Sequence, residues 1–242
     1  PNLIPAARVI AFSATTGEFK TALKLAGLLR GDGCHRNSRL VIGGPHATLA
    51  HYDCIGHFNT TVIGEGERVV VDIVKDNVCC IVKTPRITDL DNLPFPAWDA
   101  LPDCFSNTLF PGERYGTGAR AATIMASRGC PYSCSFCGNM LRTPVVYRSP
   151  SSIVAEIQTL KSKYGINHFR LEDDNLTLNK TWLYSLCAAL EPHQVVFKAH
   201  TRADLVDHGS LVALKHAGCV ELGFGMESAD NKVLKLIHKG IR

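Results

Sequence analysis

No stretch of this sequence stays apolar for the roughly 18–20 residues that a bilayer crossing needs. Apolar runs such as 78–82 fall far short, which excludes a membrane-spanning helix. There is no Lys/Arg block. The 26 basic and 22 acidic residues are dispersed and leave a net charge of +4. That balance is too small to form the electrostatic footprint of a nucleic-acid binder. Low-complexity tracts and fixed-period repeats are missing, and an ordinary composition, 45% hydrophobic and 20% charged, excludes disorder, collagen and coiled coil. The first residues, Pro1, Asn2, Leu3, Ile4 and Pro5, show neither a basic segment nor a long apolar one, so no secretory leader is read there. They also lack an initiator Met, and residues are expected upstream.

What is present is an ordinary globular composition. The 242 residues are 45% hydrophobic and 20% charged, enough for one or two domains with a core that needs no disulfides. Ten cysteines is a high count, and three of them crowd into 130–137. The other seven (Cys34, Cys54, Cys79, Cys80, Cys104, Cys187, Cys219) are scattered and read mostly as small buried hydrophobes. This usage suits a reducing, cytoplasmic setting.

The chain alternates strands and helices. Apolar runs predict strands over 8–13, 40–42 and 61–63, the last two stopped by glycine turns, with helices over 19–30 and 67–74. This is the rhythm of a doubly wound sheet. From 84 to 118 periodicity fades and five prolines punctuate the stretch, predicting a linker that wraps a surface. A second alternation follows. Strands are predicted over 122–126, 169–171, 195–199 and 220–224, with helices over 151–164, 179–190, 209–216 and 231–238. Ser151 or Ser152 is the expected cap of the first of these helices. Each strand ends in polar or charged residues, and βα barrels keep their active sites on that edge. Four βα units are too few to close a barrel. The expected architecture is α/β, with a partial doubly wound, Rossmann-like domain over 1–84, a proline-rich linker over 85–117 and a partial, TIM-like βα barrel over 118–242. Residues are therefore expected downstream too, and an unclosed barrel predicts an exposed strand edge.

The densest chemistry is the segment Ser127-Arg128-Gly129-Cys130-Pro131-Tyr132-Ser133-Cys134-Ser135-Phe136-Cys137-Gly138, with spacing C-x3-C-x2-C. Three thiolates on one short loop can converge on one metal centre. A cubane iron–sulfur cluster normally takes four cysteines. Three leave one iron open, which is what catalysis at a metal requires. Structural zinc needs a fourth ligand, and no His lies between His57 and His168. A redox pair of Cys134 and Cys137 leaves Cys130 unexplained. Three buried, unliganded cysteines are the remaining alternative. The open cluster is the preferred reading.

This spacing, with Phe136 just before the last cysteine and a strand before the loop, resembles the radical S-adenosylmethionine (radical SAM) superfamily. The resemblance implies a 4Fe–4S cluster on Cys130, Cys134 and Cys137. Its open iron would chelate SAM through the amino and carboxylate groups. Reductive cleavage would give a 5′-deoxyadenosyl radical that abstracts hydrogen from a substrate. It also implies SAM contacts from Phe136 and Gly138 in the loop, and from Glu227 and Ser228 in the fourth-strand segment GFGMES. Arg202 after the third strand would pair with the SAM carboxylate. Asp173 after the second would take the position where many members carry a Gly-Gly-Glu-type segment. Here that segment reads Leu171-Glu172-Asp173-Asp174. Asp174 and Asn175 read as helix caps.

The first domain carries a narrower resemblance. IAFSAT (10–15), VIGGPHAT (41–48) and VIGEGE (62–67), in that order, resemble the cobalamin-binding domain that precedes one class of radical SAM enzymes. DNLPFPAWDAL (91–101) resembles the linker of that class. The resemblance implies that Ser13 and Thr15 line a pocket for the cobalamin nucleotide tail, that Gly43 and Gly44 pack against it, and that Gly64 and Glu65 border the corrin. The Asp-x-His-x-x-Gly loop that some cobalamin domains carry is absent, and His46 reads as a pocket or surface histidine.

The expected activity is therefore a cobalamin-dependent radical SAM methyltransferase acting on a small molecule or peptide. It would draw electrons from a reductant such as a flavodoxin or ferredoxin. The alternatives are a radical SAM oxidoreductase, cyclase or methylthiotransferase, and a non-catalytic cofactor-binding fragment.

Overall fold

The computed structural model describes residues 5–76, 78, 80–100, 105, 120–138, 140 and 142–241. The chain divides into two compact units, Pro1–Ile87 and Thr88–Arg242.

In the first unit, β1 (Val9–Ser13), β2 (Arg39–Gly43), β3 (Thr60–Ile63) and β4 (Ile81–Lys83) form one parallel sheet in sequential order. This is one half of a doubly wound arrangement, so all four strands end on the same edge. Helix α1 (Phe19–Gly31) buries Phe19, Ala22, Ala26 and Leu29, spaced three or four apart, against Leu40 and Ile42 of β2. Strand β4 was not expected. Three residues are too few for a period-two pattern to show. Gly44–Leu49 forms a short helix, α2, where a simple turn was expected. Pro45 sits in its first turn, where a missing N–H costs nothing. Helix α3 (Val70–Asp76) completes the unit.

In the second unit, β5 (Ala121–Ile124), β8 (His168–Leu171), β9 (Val196–Thr201) and β10 (Cys219–Phe224) form a parallel sheet in the order β10-β9-β8-β5. Helices α4 (Pro150–Tyr164), α5 (Lys180–Leu190), α6 (His208–His216) and α7 (Asn231–Leu236) alternate with the strands. This is the order expected of a partial βα barrel. Ile153, Ile157 and Leu160 of α4 and Leu183, Leu186 and Leu190 of α5 pack with Phe169 and Phe197 in one core. Burying each such side chain stabilises by about 1.5–3 kcal/mol. Strand β10 is one edge of the sheet among the described residues, and its Val220 and Phe224 are exposed.

Two local expectations are corrected. The strand predicted over 122–126 stops at Ile124, and the chain re-forms as β6 (Ser127–Arg128), paired antiparallel with β7 (Val146–Tyr147). The α4 cap is Ser149, not Ser151 or Ser152: its Oγ accepts from the Ser152 N–H at 3.2 Å, with Pro150 in the first turn. Of the proline-rich stretch, residues 85–87 belong to the first unit and the described residues from Thr88 onward to the second. Asp91 accepts from the Ser149 N–H at 2.9 Å, and Phe95 lies 5.5 Å from the Arg148 guanidinium. Residues 101–104 and 106–117 of the predicted linker lie outside the described residues.

Candidate iron–sulfur and SAM site

Parallel strands deliver the ends of β5, β8, β9 and β10 to one edge, so residues far apart in sequence meet there. The cysteine loop leaves that edge after β6. The first tie to β8 is Gly129, whose N–H donates to Asp174 Oδ2 at 3.0 Å. The second is the Ser127 hydroxyl, which donates to Asp173 Oδ1 at 2.6 Å. The Glu172 N–H donates to the Ile124 carbonyl at 2.9 Å and extends the β5–β8 pairing to the loop's base. Asp174 is thus a loop anchor and not the helix cap expected; Asn179 caps α5.

Cys134 is buried, Cys130 is partly buried and Cys137 is exposed, and all three are free thiols. Burial pushes the Cys130 thiol up, and the charges of Asp174, Cys137 and Cys134 push the same way; a backbone hydrogen bond at Tyr132 pulls it down. The three sulfurs therefore lie within electrostatic reach of one another. Among the described residues, no three His, Cys, Asp or Glu side chains converge tightly enough for a single metal ion. A cubane takes one thiolate per iron and needs ligands set around a cluster, not around a point. Three soft sulfur donors on one loop fit that group.

The SAM candidates divide. Asp173 is buried and its Oδ2 has no hydrogen-bond partner, although the carboxyl stands at the strand edge. Burial pushes its pKa up to about 7, Asp174 adds to the rise, and hydrogen bonds from Ser127 and Ala126 oppose it. Arg202 is buried too, but its guanidinium is largely engaged. It pairs with Asp204 through Nε and Nη2, each at 3.0 Å, and donates to the Lys239 carbonyl at 2.8 Å. Glu227 has φ of +59° and meets Lys239 Nζ at 3.1 Å. Ser228 accepts from the Asp230 N–H at 3.1 Å, in the lead-in to α7. Phe136 is exposed, with Lys239 Nζ 5.6 Å from its ring centroid. A side chain added at Gly138 would meet open space.

In the first unit the predicted cobalamin contacts also share one carboxyl edge, as nucleotide-type sites of α/β sheets do. Ser13 and Thr15 are exposed there, and Thr15 holds Glu18 through its N–H and Oγ at 2.9 and 2.8 Å. A Cβ added at Gly43 would make only an ordinary contact with Val62, at 3.7 Å. Gly44, with φ of +86°, comes so close to β1 that a Cβ would lie 2.6 Å from Ser13 Oγ. Gly64, with φ of +94°, is equally tight against Thr84. Ser13, Thr15 and the three glycines are thus compatible with a ligand laid on this edge. Glu65 is not. It is buried in an ion pair with Arg86 at 2.5 Å and accepts from the Ile87 N–H at 2.7 Å. His46 is buried, stacked on Phe19 with ring centroids 3.8 Å apart, and its Nδ1 lies 3.2 Å from Thr16 Oγ.

Residues 124–242 match the Radical SAM superfamily. This part of the chain is a radical SAM domain. An uncharacterized methyltransferase of Pyrococcus horikoshii is 27% identical over 96% of this chain and 54% of its own length. An anaerobic magnesium-protoporphyrin IX monomethyl ester cyclase of Cereibacter sphaeroides is 27% identical over 84% of this chain and 37% of its own. Among solved structures, the radical SAM methyltransferase TsrM of Kitasatospora setae, with cobalamin and a [4Fe-4S] cluster bound, shares the fold. The TM-score is 0.68 at 15% identity, over 95% of this chain and 52% of that one. The chain spans about half the length or less of these relatives.

Sequence reasoning missed three residues that brace the radical SAM loop. Arg142 donates to the Tyr132 carbonyl and, at 3.5 Å, to the Cys137 carbonyl, tying two points of the loop together. Lys239 reaches back from beyond α7. Tyr132 lies under Arg202, 3.7 Å from its guanidinium carbon to the ring centroid. Only an aromatic one residue past Cys130-Pro131 hinted at the last of these.

Proposed function

We propose that this chain is the cofactor-binding and catalytic part of a radical SAM methyltransferase that uses cobalamin. The observation that carries the reading is the cysteine trio on a loop pinned to β8 through Ser127–Asp173 and Gly129–Asp174. Cys130, Cys134 and Cys137 hold the 4Fe–4S cluster, which when bound supplies the electron that breaks a sulfonium C–S bond of SAM. The buried, unpartnered Oδ2 of Asp173 is placed to accept from the SAM ammonium, an interaction that would satisfy an otherwise costly orphan acceptor. Phe136 and Gly138 on the loop, with Glu227 and Ser228 after β10, would complete the SAM contacts.

The first unit takes cobalamin on the edge formed by Ser13, Thr15, Gly43, Gly44 and Gly64, where it would carry the methyl group. Support comes from the fold shared with TsrM across both units and from relatives named as methyltransferases. Glu65 is withdrawn from that site because its carboxylate is already committed. The substrate is a small molecule or peptide, and a flavodoxin- or ferredoxin-type protein supplies electrons. The eight described cysteines are all free, which suits a reducing compartment such as the cytoplasm. No helix among the described residues is long and apolar enough to cross a membrane. The cyclase among the relatives keeps a second reading in view, radical chemistry without methyl transfer.

The test is anaerobic reconstitution with iron, sulfide and cobalamin, followed by a low-potential reductant and SAM. The expected products are 5′-deoxyadenosine and a cobalamin-loaded protein. A loaded cluster that never cleaves SAM overturns the enzymatic reading. SAM cleavage without cobalamin retention favours the cyclase-type reading.

A further inference from the structure

Arg202 was expected to hold the SAM carboxylate, but the structure gives its N–H groups other work. Nε and Nη2 grip the two oxygens of Asp204, and Nη2 also donates to the Lys239 carbonyl. The plane rests on the Tyr132 ring. These contacts fix the direction of Nη1, which lies 3.9 Å from Cys134 Sγ in a buried setting. Both side chains are nearly sealed, Arg202 at 5% exposure and Cys134 at 7%. The surrounding backbone is held as well: the Ser135 N–H donates to the Ile237 carbonyl at 2.9 Å, so the segment after α7 clamps the loop at the residue following Cys134.

We propose that Arg202 is a positioning residue of the iron–sulfur site, donating to the Cys134 sulfur and easing one-electron reduction of the cluster. This rests on the reading that Cys134 is a cluster ligand. The physics is direct. Taking up one electron from the reductant adds one negative charge to the cluster while no bond forms or breaks. A fixed, always protonated guanidinium beside a ligand sulfur stabilises the more negative form. Hydrogen bonds to the sulfurs and local charge are among the levers that set cluster potentials. Asp204 offsets part of the charge, but its side chain is about one-third exposed, so water screens it more than it screens the buried guanidinium. Asp204 and Tyr132 act as the cradle that orients the donor.

The experiment compares the complete chain, anaerobically reconstituted, as wild type, R202Q, R202K and Y132L. Iron content, an electron paramagnetic resonance redox titration of the cluster and SAM affinity are measured. R202Q is expected to titrate at a lower midpoint potential than wild type at equal iron content. R202K, which keeps the charge, recovers part of the shift. Y132L, which removes the platform and leaves the charge, moves the potential in the same direction by less. An R202Q cluster at wild-type potential, with or without weakened SAM binding, overturns the proposal. If R202Q does not load iron, Y132L and R202K decide it, and wild-type potentials in both overturn it. A wild-type protein that takes up no cluster sinks the radical SAM reading itself, an outcome distinct from an unmoved potential.

Discussion

The Ser127 hydroxyl donates to Asp173 Oδ1 at 2.6 Å, while Asp173 Oδ2, on the same buried carboxyl, has no partner. The hydrogen bonds from Ser127 and Ala126 do not replace the hydration that burial removes, so the neutral form is favoured and the pKa rises to about 7. An unfolded Asp titrates near 3.9. Between those values the folded chain keeps a proton that the unfolded chain has lost. Stability without SAM therefore falls as pH rises from about 4 to about 7 and levels off above. Asp173→Asn removes this contribution. Anaerobic denaturant unfolding at pH 5 and pH 8 is expected to show a difference of a few kcal/mol in wild type that shrinks in the variant. The same slope in both proteins rejects the buried-carboxyl account.

Arg142 ties the Tyr132 and Cys137 carbonyls together. Arg142→Ala is expected to leave circular dichroism unchanged while iron retention after desalting falls several-fold, because the loop loses the brace that pre-organises its sulfurs. Iron retention equal to wild type removes Arg142 from the site.

Glu65 is buried beside Arg86 and accepts from the Ile87 N–H. Removing one partner of a buried pair leaves the other uncompensated. Glu65→Ala is expected to destabilise the first unit by about 3 kcal/mol. A double change of Glu65 and Arg86 to Gln and Met should cost less than that single. If Glu65→Ala instead lost only cobalamin and no stability, Glu65 would return to the ligand edge.

Thr201 Oγ donates to Asn175 Oδ1 at 2.7 Å and shares a hydrogen bond with Thr177 at 2.5 Å, all buried beneath the site edge. Thr201→Val keeps the shape and strands the Asn175 carbonyl. The expected loss is about 1–3 kcal/mol in equilibrium unfolding.

Ser149 caps α4 through its Oγ. Ser149→Ala is expected to cost about 1 kcal/mol and Ser151→Ala almost nothing. The reverse order would restore the cap expected from sequence.

Where the signal is local, the sequence was readable. Apolar spacing in α1, α4 and α5 and the short apolar runs of β2 and β8 locate these elements because their buried faces repeat with the geometry of the backbone. The short pieces escaped. Strand β4 has three residues, and β6 pairs with β7 across a long loop, from Ser127 to Tyr147, so neither carries a period. The Ser149 cap was legible in principle, since Ser-Pro at a helix start is a known signal, but Ser151 and Ser152 compete for it on sequence alone.

By itself the sequence determined the chemistry on offer: three thiols at C-x3-C-x2-C, glycine-rich strand ends, and two runs of βα alternation that fold into parallel sheets. Residue type and spacing are properties of the chain, and they set which ligands a loop can present. Only the tertiary structure decided which charges remain available there. It buried Asp173 with one oxygen unsatisfied, committed Glu65 to Arg86, and turned Arg202 from an open cation into a donor aimed at Cys134. Burial and pairing depend on which strand ends meet at the edge, and contacts as distant as Arg202 with Cys134 exist only once the sheet has assembled.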